Sequence, residues 1–96
     1  MSTVTITHNA EASRYEARLD GELAGFADYQ LASGLIVFTH TEVDPAFEGQ
    51  GVGSRLAQGA LDDVRAGGDR KVLPLCPFIK GWIARHPAYQ DLVQGA

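Results

Sequence analysis

The sequence predicts an α+β fold, an antiparallel meander followed by a strand-helix-strand crossover and a C-terminal helix, as one domain over residues 1–96. Three observations carry this expectation. Segments with period-two alternation fill the chain up to Val43, a glycine cluster follows at Gly49, Gly51 and Gly53, and a one-sided helical stripe then leads through Gly67-Gly68 into another apolar strand pattern.

Thr3 to Thr7 alternates hydroxyl and aliphatic side chains, which predicts the first strand, and the polar and small run from His8 to Ala12 predicts the turn after it. Arg14 to Leu19 sets Tyr15, Ala17 and Leu19 on one face and Glu16 and Arg18 on the other, before the hairpin signal Asp20-Gly21. A third strand begins near Glu22 and alternates Leu23, Gly25, Ala27 and Tyr29 with Ala24, Phe26 and Asp28. Ala32-Ser33-Gly34 then turns the chain into Leu35-Ile36-Val37-Phe38, apolar on both faces and so a central strand. Asp44-Pro45 opens a flexible loop. From Val52 the apolar residues Leu56, Ala57, Ala60, Leu61 and Val64 line one side of a helix, which Gly67-Gly68 stops. Arg70 to Cys76 reads as a strand through Val72, Leu73 and Leu75. Pro77 starts a second helix with Phe78, Ile79, Trp82 and Ile83 on one face; His86-Pro87 ends it, and Ala88 to Val93 forms a short amphipathic tail.

Apolar residues make up 45% of the chain and charged ones 21%, a globular balance. A domain this short buries only about 60–65% of its unfolded surface, so a ligand is expected in an open cleft. The net charge of −4 argues against nucleic acid and anionic membranes as partners and favours a basic one. Cys76 is the single cysteine, which leaves no internal disulfide and no cysteine-based zinc cluster, and no metal is expected. With no leader pattern and no apolar run near the roughly 20 residues of a membrane span, a reducing, cytoplasmic setting is expected.

Phe47-Glu48-Gly49-Gln50-Gly51-Val52-Gly53-Ser54 lets several backbone N–H groups converge without Cβ atoms between them. The unpaired N-terminal amides of the next helix and its dipole add to a nest that suits a phosphate, although the loop holds no Lys or Arg. A loop rich in glycine for tight packing is the other reading of the same residues. The spacing is neither that of an ATPase phosphate loop nor that of a dinucleotide loop.

Glu48-Gly49-Gln50-Gly51-Val52-Gly53 resembles the acyl-coenzyme-A pyrophosphate loop of the GNAT N-acetyltransferase superfamily, a Gln/Arg-x-x-Gly-x-Gly/Ala pattern. Upstream, Phe38 to Val43 with Asp44-Pro45-Ala46-Phe47 is similar to that superfamily's central strand and its exit. Downstream, Val72 to Phe78, Trp82-Ile83 and His86-Pro87-Ala88-Tyr89 resemble its small stand-alone YjdJ-like group. The resemblance implies a minimal GNAT-like fold and acetyl-CoA as acyl donor, held by Phe47 to Ser54 with Val43 and Phe78 and giving its acetyl group to a primary amine. Two departures stand out. Glu48 places a carboxylate where the pattern has Gln or Arg, which Gln50 partly offsets, and the chain has no room for the long helices that larger members place after the first strand. The acceptor side is therefore open, which favours an exposed amine on a protein, peptide or polyamine. A non-catalytic acyl-CoA-binding module and a small interaction protein with an incidental phosphate site are the rival readings.

Acetyl transfer needs a polarised thioester carbonyl, a base for the amine and an acid for the leaving thiolate. By resemblance, the backbone N–H around Val43 polarises the carbonyl. His40 and Glu42, two apart on a strand, share a face and are candidate bases, or else a solvated strand end. Cys76, ahead of Pro77 at a helix start, is a candidate nucleophile or acid, or else a small buried hydrophobe. Tyr89 is a further candidate acid.

Overall fold

The structure is a computed structural model that describes residues 3–95. Strands β1 (Val4–Asn9), β2 (Arg14–Leu19), β3 (Glu22–Ala32) and β4 (Leu35–Val43) form the meander. Helix α1 (Val52–Gly67) crosses back to β5 (Lys71–Pro74), and α2 (Pro77–Ala84) follows, with short 3-10 turns at Pro45–Phe47 and Pro87–Leu92. The sheet runs in the order β1-β2-β3-β4-β5, with β5 parallel to β4. This is the α+β architecture that the sequence predicts.

The differences are local and each has a cause. Strand β1 continues through His8 to Asn9, because His8 pairs with Tyr15, stacks on its ring at 4.3 Å and lies 2.6 Å from the Tyr29 hydroxyl. In β3, Ala17 faces Gly25 while Arg18 faces Leu23, so Ala24 is an extra residue and the simple alternation fails there. Ala24 is buried and Leu23 exposed. Strand β5 stops at Pro74, short of the expected Cys76, and Leu75 is exposed.

Helix α1 turns Val52, Leu56, Ala57, Ala60, Leu61 and Val64 into the core, across the sheet face formed by Tyr15, Ala17, Ala27, Tyr29, Ile36 and Phe38. Gly68 closes the helix in the left-handed conformation, with its N–H on the Val64 carbonyl. The tail is tied down as well: Arg65 pairs with Asp91, Val93 bridges to Val72, and Tyr89 donates its hydroxyl to Asp62 at 2.7 Å. No helix among the described residues is long and apolar enough to cross a membrane.

The opposite sheet face carries Arg14, Glu16, Arg18, Phe26, His40 and Glu42 by register. Glu16 is buried there under its own neighbours, accepting from Arg14 at 2.8 Å, Arg18 at 3.2 Å and Asn9 at 3.2 Å. The Arg14 hydrogen bond, with help from Asn9, holds its carboxyl below the usual range.

Candidate functional site

Strand β4 has two neighbours only as far as Phe38, which pairs with Pro74. There the Phe38 carbonyl accepts from both Leu75 and Cys76 at 3.0 Å, and the chain turns away into α2. Beyond that point β4 keeps β3 as its partner, and a bulge at Thr39 resets its faces, since Tyr29 pairs with Phe38 and Asp28 with His40. The Asp44 N–H donates to the Ala24 carbonyl on the β3 side. Backbone alternation then turns the N–H and C=O groups of Thr41 and Val43 the other way, into the gap that β5 leaves.

The N-terminus of α1 faces a cleft that begins at this gap. Gly51 is its N-cap, at φ +76°, with no side-chain cap and no acidic residue in the first turn. The first helical bond runs from Arg55 N–H to the Gly51 carbonyl, so the amides of Val52, Gly53 and Ser54 have no partner within the helix and share the positive end of its dipole. A Cβ on Gly49 or Gly51 would meet nothing within 4 Å, whereas one on Gly53 would lie 2.8 Å from the Phe78 ring. The two readings of the glycine loop thus divide between positions: Gly49 and Gly51 border open space, and Gly53 is small for packing.

The cleft encloses about 390 Å³. One wall is the loop with Val43 and Phe47; the other is α2, through Phe78, Trp82, Arg85 and His86. Trp82 is core, and its indole N–H donates to the Ser54 hydroxyl at 2.9 Å, clamping α2 to the start of α1. His86 stacks on Trp82 at 3.7 Å, and its Nδ1–H donates to the Trp82 carbonyl at 2.6 Å. Of the residues expected to hold the donor, Gln50 is exposed and does not line this cleft, while Val43, Phe47, Glu48, Gly49, Gly51, Val52, Gly53, Ser54 and Phe78 do. Arg85 and His86 escaped the sequence reading. Their signal was the spacing 78, 82, 85, 86, which continues one helical side past the apolar residues.

A second cleft, about 420 Å³, lies on the other side of Val43. Leu23, Phe26 and Pro45 form apolar walls, and Glu42 and Asp44 bring carboxylates. Val43 lines both clefts. From residue 19 to residue 54 the chain contains no Lys or Arg, so the strand ends and loop around this second cleft are wholly acidic apart from His40.

The three candidate catalytic side chains do not converge. His40 and Glu42 share the open face, 3.4 Å apart and both largely exposed. Cys76 is 3% exposed and donates its thiol to Thr41 Oγ1 at 3.1 Å, on the core side of the same strand. The Thr39 bulge is the reason: it turns Thr41 inward and its two neighbours outward. Tyr89, the further candidate acid, is held by Asp62, and that hydrogen bond, with burial, pushes its hydroxyl pKa up. It packs edge-on against Trp82.

A central strand that runs on past the end of its parallel neighbour, beside an uncapped, glycine-lined helix start, defines the class of GNAT-type acyltransferase folds. Residues 14–92 match the family model of the GCN5-related N-acetyl-transferases, and the chain belongs to that family. It is 28% identical over 93 residues to Protein NATD1 of Xenopus tropicalis, covering 95% of this chain and 84% of that one. Against Protein NATD1 of Mus musculus it is 28% identical over 91 residues, 93% of this chain and 82% of the other. Among solved structures, a GCN5-like protein of Staphylococcus aureus superposes with a TM-score of 0.72 at 23% identity, covering 100% of this chain and 93% of that chain. A ribosomal-protein-alanine N-acetyltransferase of Brucella melitensis biovar Abortus 2308 superposes with a TM-score of 0.58 at 17% identity, again over 100% and 93%. Both structures share the fold.

Proposed function

We propose that this protein is a minimal N-acetyltransferase that binds acetyl-CoA in the cleft between the glycine loop and α2 and passes the acetyl group to a primary amine in the second cleft. The meeting of the two clefts at Val43, on a stretch of β4 whose backbone has lost one neighbour, is the observation that carries the reading. The donor's phosphates fit the amides of Val52, Gly53 and Ser54 and the open space at Gly49 and Gly51. The Val43 N–H faces the place of the thioester carbonyl and polarises it.

In a direct transfer the amine nitrogen attacks the thioester carbon, a C–N bond forms, the C–S bond breaks, and coenzyme A leaves as a thiolate that takes up a proton. Glu42, with His40 beside it, receives the proton that the ammonium gives up, directly or through water. The walls of Leu23 and Phe26 suit the stem of an alkylamine, and the acidic surroundings suit a cation: a lysine on a basic protein or peptide, or a polyamine. Cys76 serves either as the acid for the leaving thiolate or, in a two-step route, as the nucleophile that carries the acetyl group. Its 3% exposure and its hydrogen bond to Thr41 favour a supporting position over attack. The overlap of Val72 to Tyr89 with the YjdJ-like pattern supports membership of that group of small members.

A second reading, a non-catalytic acyl-CoA-binding module, is favoured by Glu48 on the donor cleft and by the separation of Cys76 from Glu42. Intact-mass spectrometry with acetyl-CoA and a pool of amines and basic peptides, beside calorimetric titration of coenzyme A, tests the two. Binding with acetylated amine supports the enzyme; binding without transfer supports the module; a protein-bound acetyl mass lost in Cys76→Ala supports the two-step route. No binding overturns both readings.

A further inference from the structure

We infer that Arg85 is the residue that selects a phosphate-bearing ligand in the donor cleft, replacing from α2 the positive charge that the loop forgoes at Glu48. This role rests on the coenzyme-A reading of the cleft. Arg85 and Glu48 line the same cleft, from opposite walls of the chain's making, one at the end of α2 and the other in the glycine loop. Among the described residues Arg55 and Arg85 enter no ion pair, whereas Arg14, Arg18, Arg65 and Arg70 do, and of those two only Arg85 lines this cleft. Its guanidinium is therefore uncommitted, in a cleft where the remaining favourable charge comes from backbone amides.

The cleft side of α2 changes character along its length. Phe78 in the first turn packs on Gly53, Trp82 in the middle fixes Ser54, and Arg85 and His86 stand at the end. Seven residues of helix separate Phe78 from Arg85, about 10 Å at 1.5 Å per residue. The start of the same helix lies at the β4–β5 gap, since Cys76 bonds to Phe38 and Thr41. One side of α2 thus reads apolar near the reacting end and cationic at the far end, the polarity of a thioester on an apolar arm that ends in phosphates. His86 is positioned for the same end, because its Nδ1–H is spent on the Trp82 carbonyl and its ring is fixed by stacking. Guanidinium groups suit phosphate oxygens in geometry as well as charge.

Calorimetric titration of coenzyme A and of dephospho-coenzyme A over a range of salt concentrations tests the assignment. Arg85→Gln is expected to weaken coenzyme A binding about tenfold and to flatten its salt dependence, while Arg85→Lys stays within about threefold of the unaltered protein. Glu48→Gln tightens binding and restores part of the loss when combined with Arg85→Gln. A loss confined to coenzyme A places Arg85 on the 3′-phosphate, and a loss shared with the dephospho form places it on the pyrophosphate; both support the role. Equal affinity for Arg85→Gln and the unaltered protein overturns it, as does Arg85→Lys as weak as Arg85→Gln or an unchanged salt dependence. An unaltered protein that binds no coenzyme A overturns the coenzyme-A reading and this role together.

Discussion

The two halves of β4 obey different rules. From Leu35 to Phe38 the strand is hydrogen-bonded on both edges, to β3 and β5, and Ile36 and Phe38 are sealed in the core. From Thr39 to Val43 it has one neighbour, its side chains are exposed or half-buried, and its free edge looks into the gap between the clefts. One continuous strand therefore supplies rigidity at one end and unsatisfied backbone groups at the other. A ligand at the free edge takes the hydrogen bonds that a neighbouring strand would otherwise have taken, on a support that does not have to reorganise.

Truncating the rigid half has the largest expected effect. Phe38→Ala should cost about 3–5 kcal/mol in chemical denaturation, since the ring is fully buried beneath α1. A cost below 1 kcal/mol would mean that this half is not the anchor. At the site end, Gly51→Val forces a branched residue to φ +76° and fills the open space beside the loop. It should lower stability by about 1–3 kcal/mol and weaken coenzyme A binding more than tenfold, so titration must accompany thermal melting. Unchanged affinity would remove the loop from the site.

The contrast within β4 also explains what the sequence disclosed. The apolar run Leu35 to Phe38, the alternation in β2 and the stripe on α1 are periodic, and periodicity follows burial, so the meander, crossover and helices were legible. The bulges at Ala24 and Thr39 were not, because a single inserted residue leaves no mark in a short alternating pattern and yet reverses every later side chain. That reversal separates Cys76 from Glu42. The glycine loop stood out from its residues, and the spacing 78, 82, 85, 86 put Arg85 and His86 on the side of α2 that carries Phe78 and Trp82, but that this side forms a wall opposite the loop depends on how α2 folds back, which local sequence does not encode.

Smaller effects sharpen the comparison on the open face. Glu16 has a depressed carboxyl pKa, so its ion pairs contribute stability above the ordinary carboxylate range, and that contribution is lost as pH falls through the folded value. Glu16→Gln should lower stability by about 1–2 kcal/mol near pH 7, with the difference from the unaltered protein shrinking in acid melts. A pH-independent difference would assign the effect to packing. Glu42→Gln should change stability by less than about 0.5 kcal/mol, since the pair with His40 is long and exposed, while lowering the acetylation rate about a hundredfold at unchanged coenzyme A affinity. Full activity in that variant would move the base elsewhere.

The most direct test of the account is a titration of coenzyme A followed through the backbone amide signals in nuclear magnetic resonance. The amides of Thr41, Val43 and Gly51 to Ser54 should shift together and saturate with one affinity, while those of Leu35 to Val37 stay in place. Shifts centred instead on the opposite end of the sheet, around His8, Tyr15 and Asp63, or no shifts at all, would contradict it.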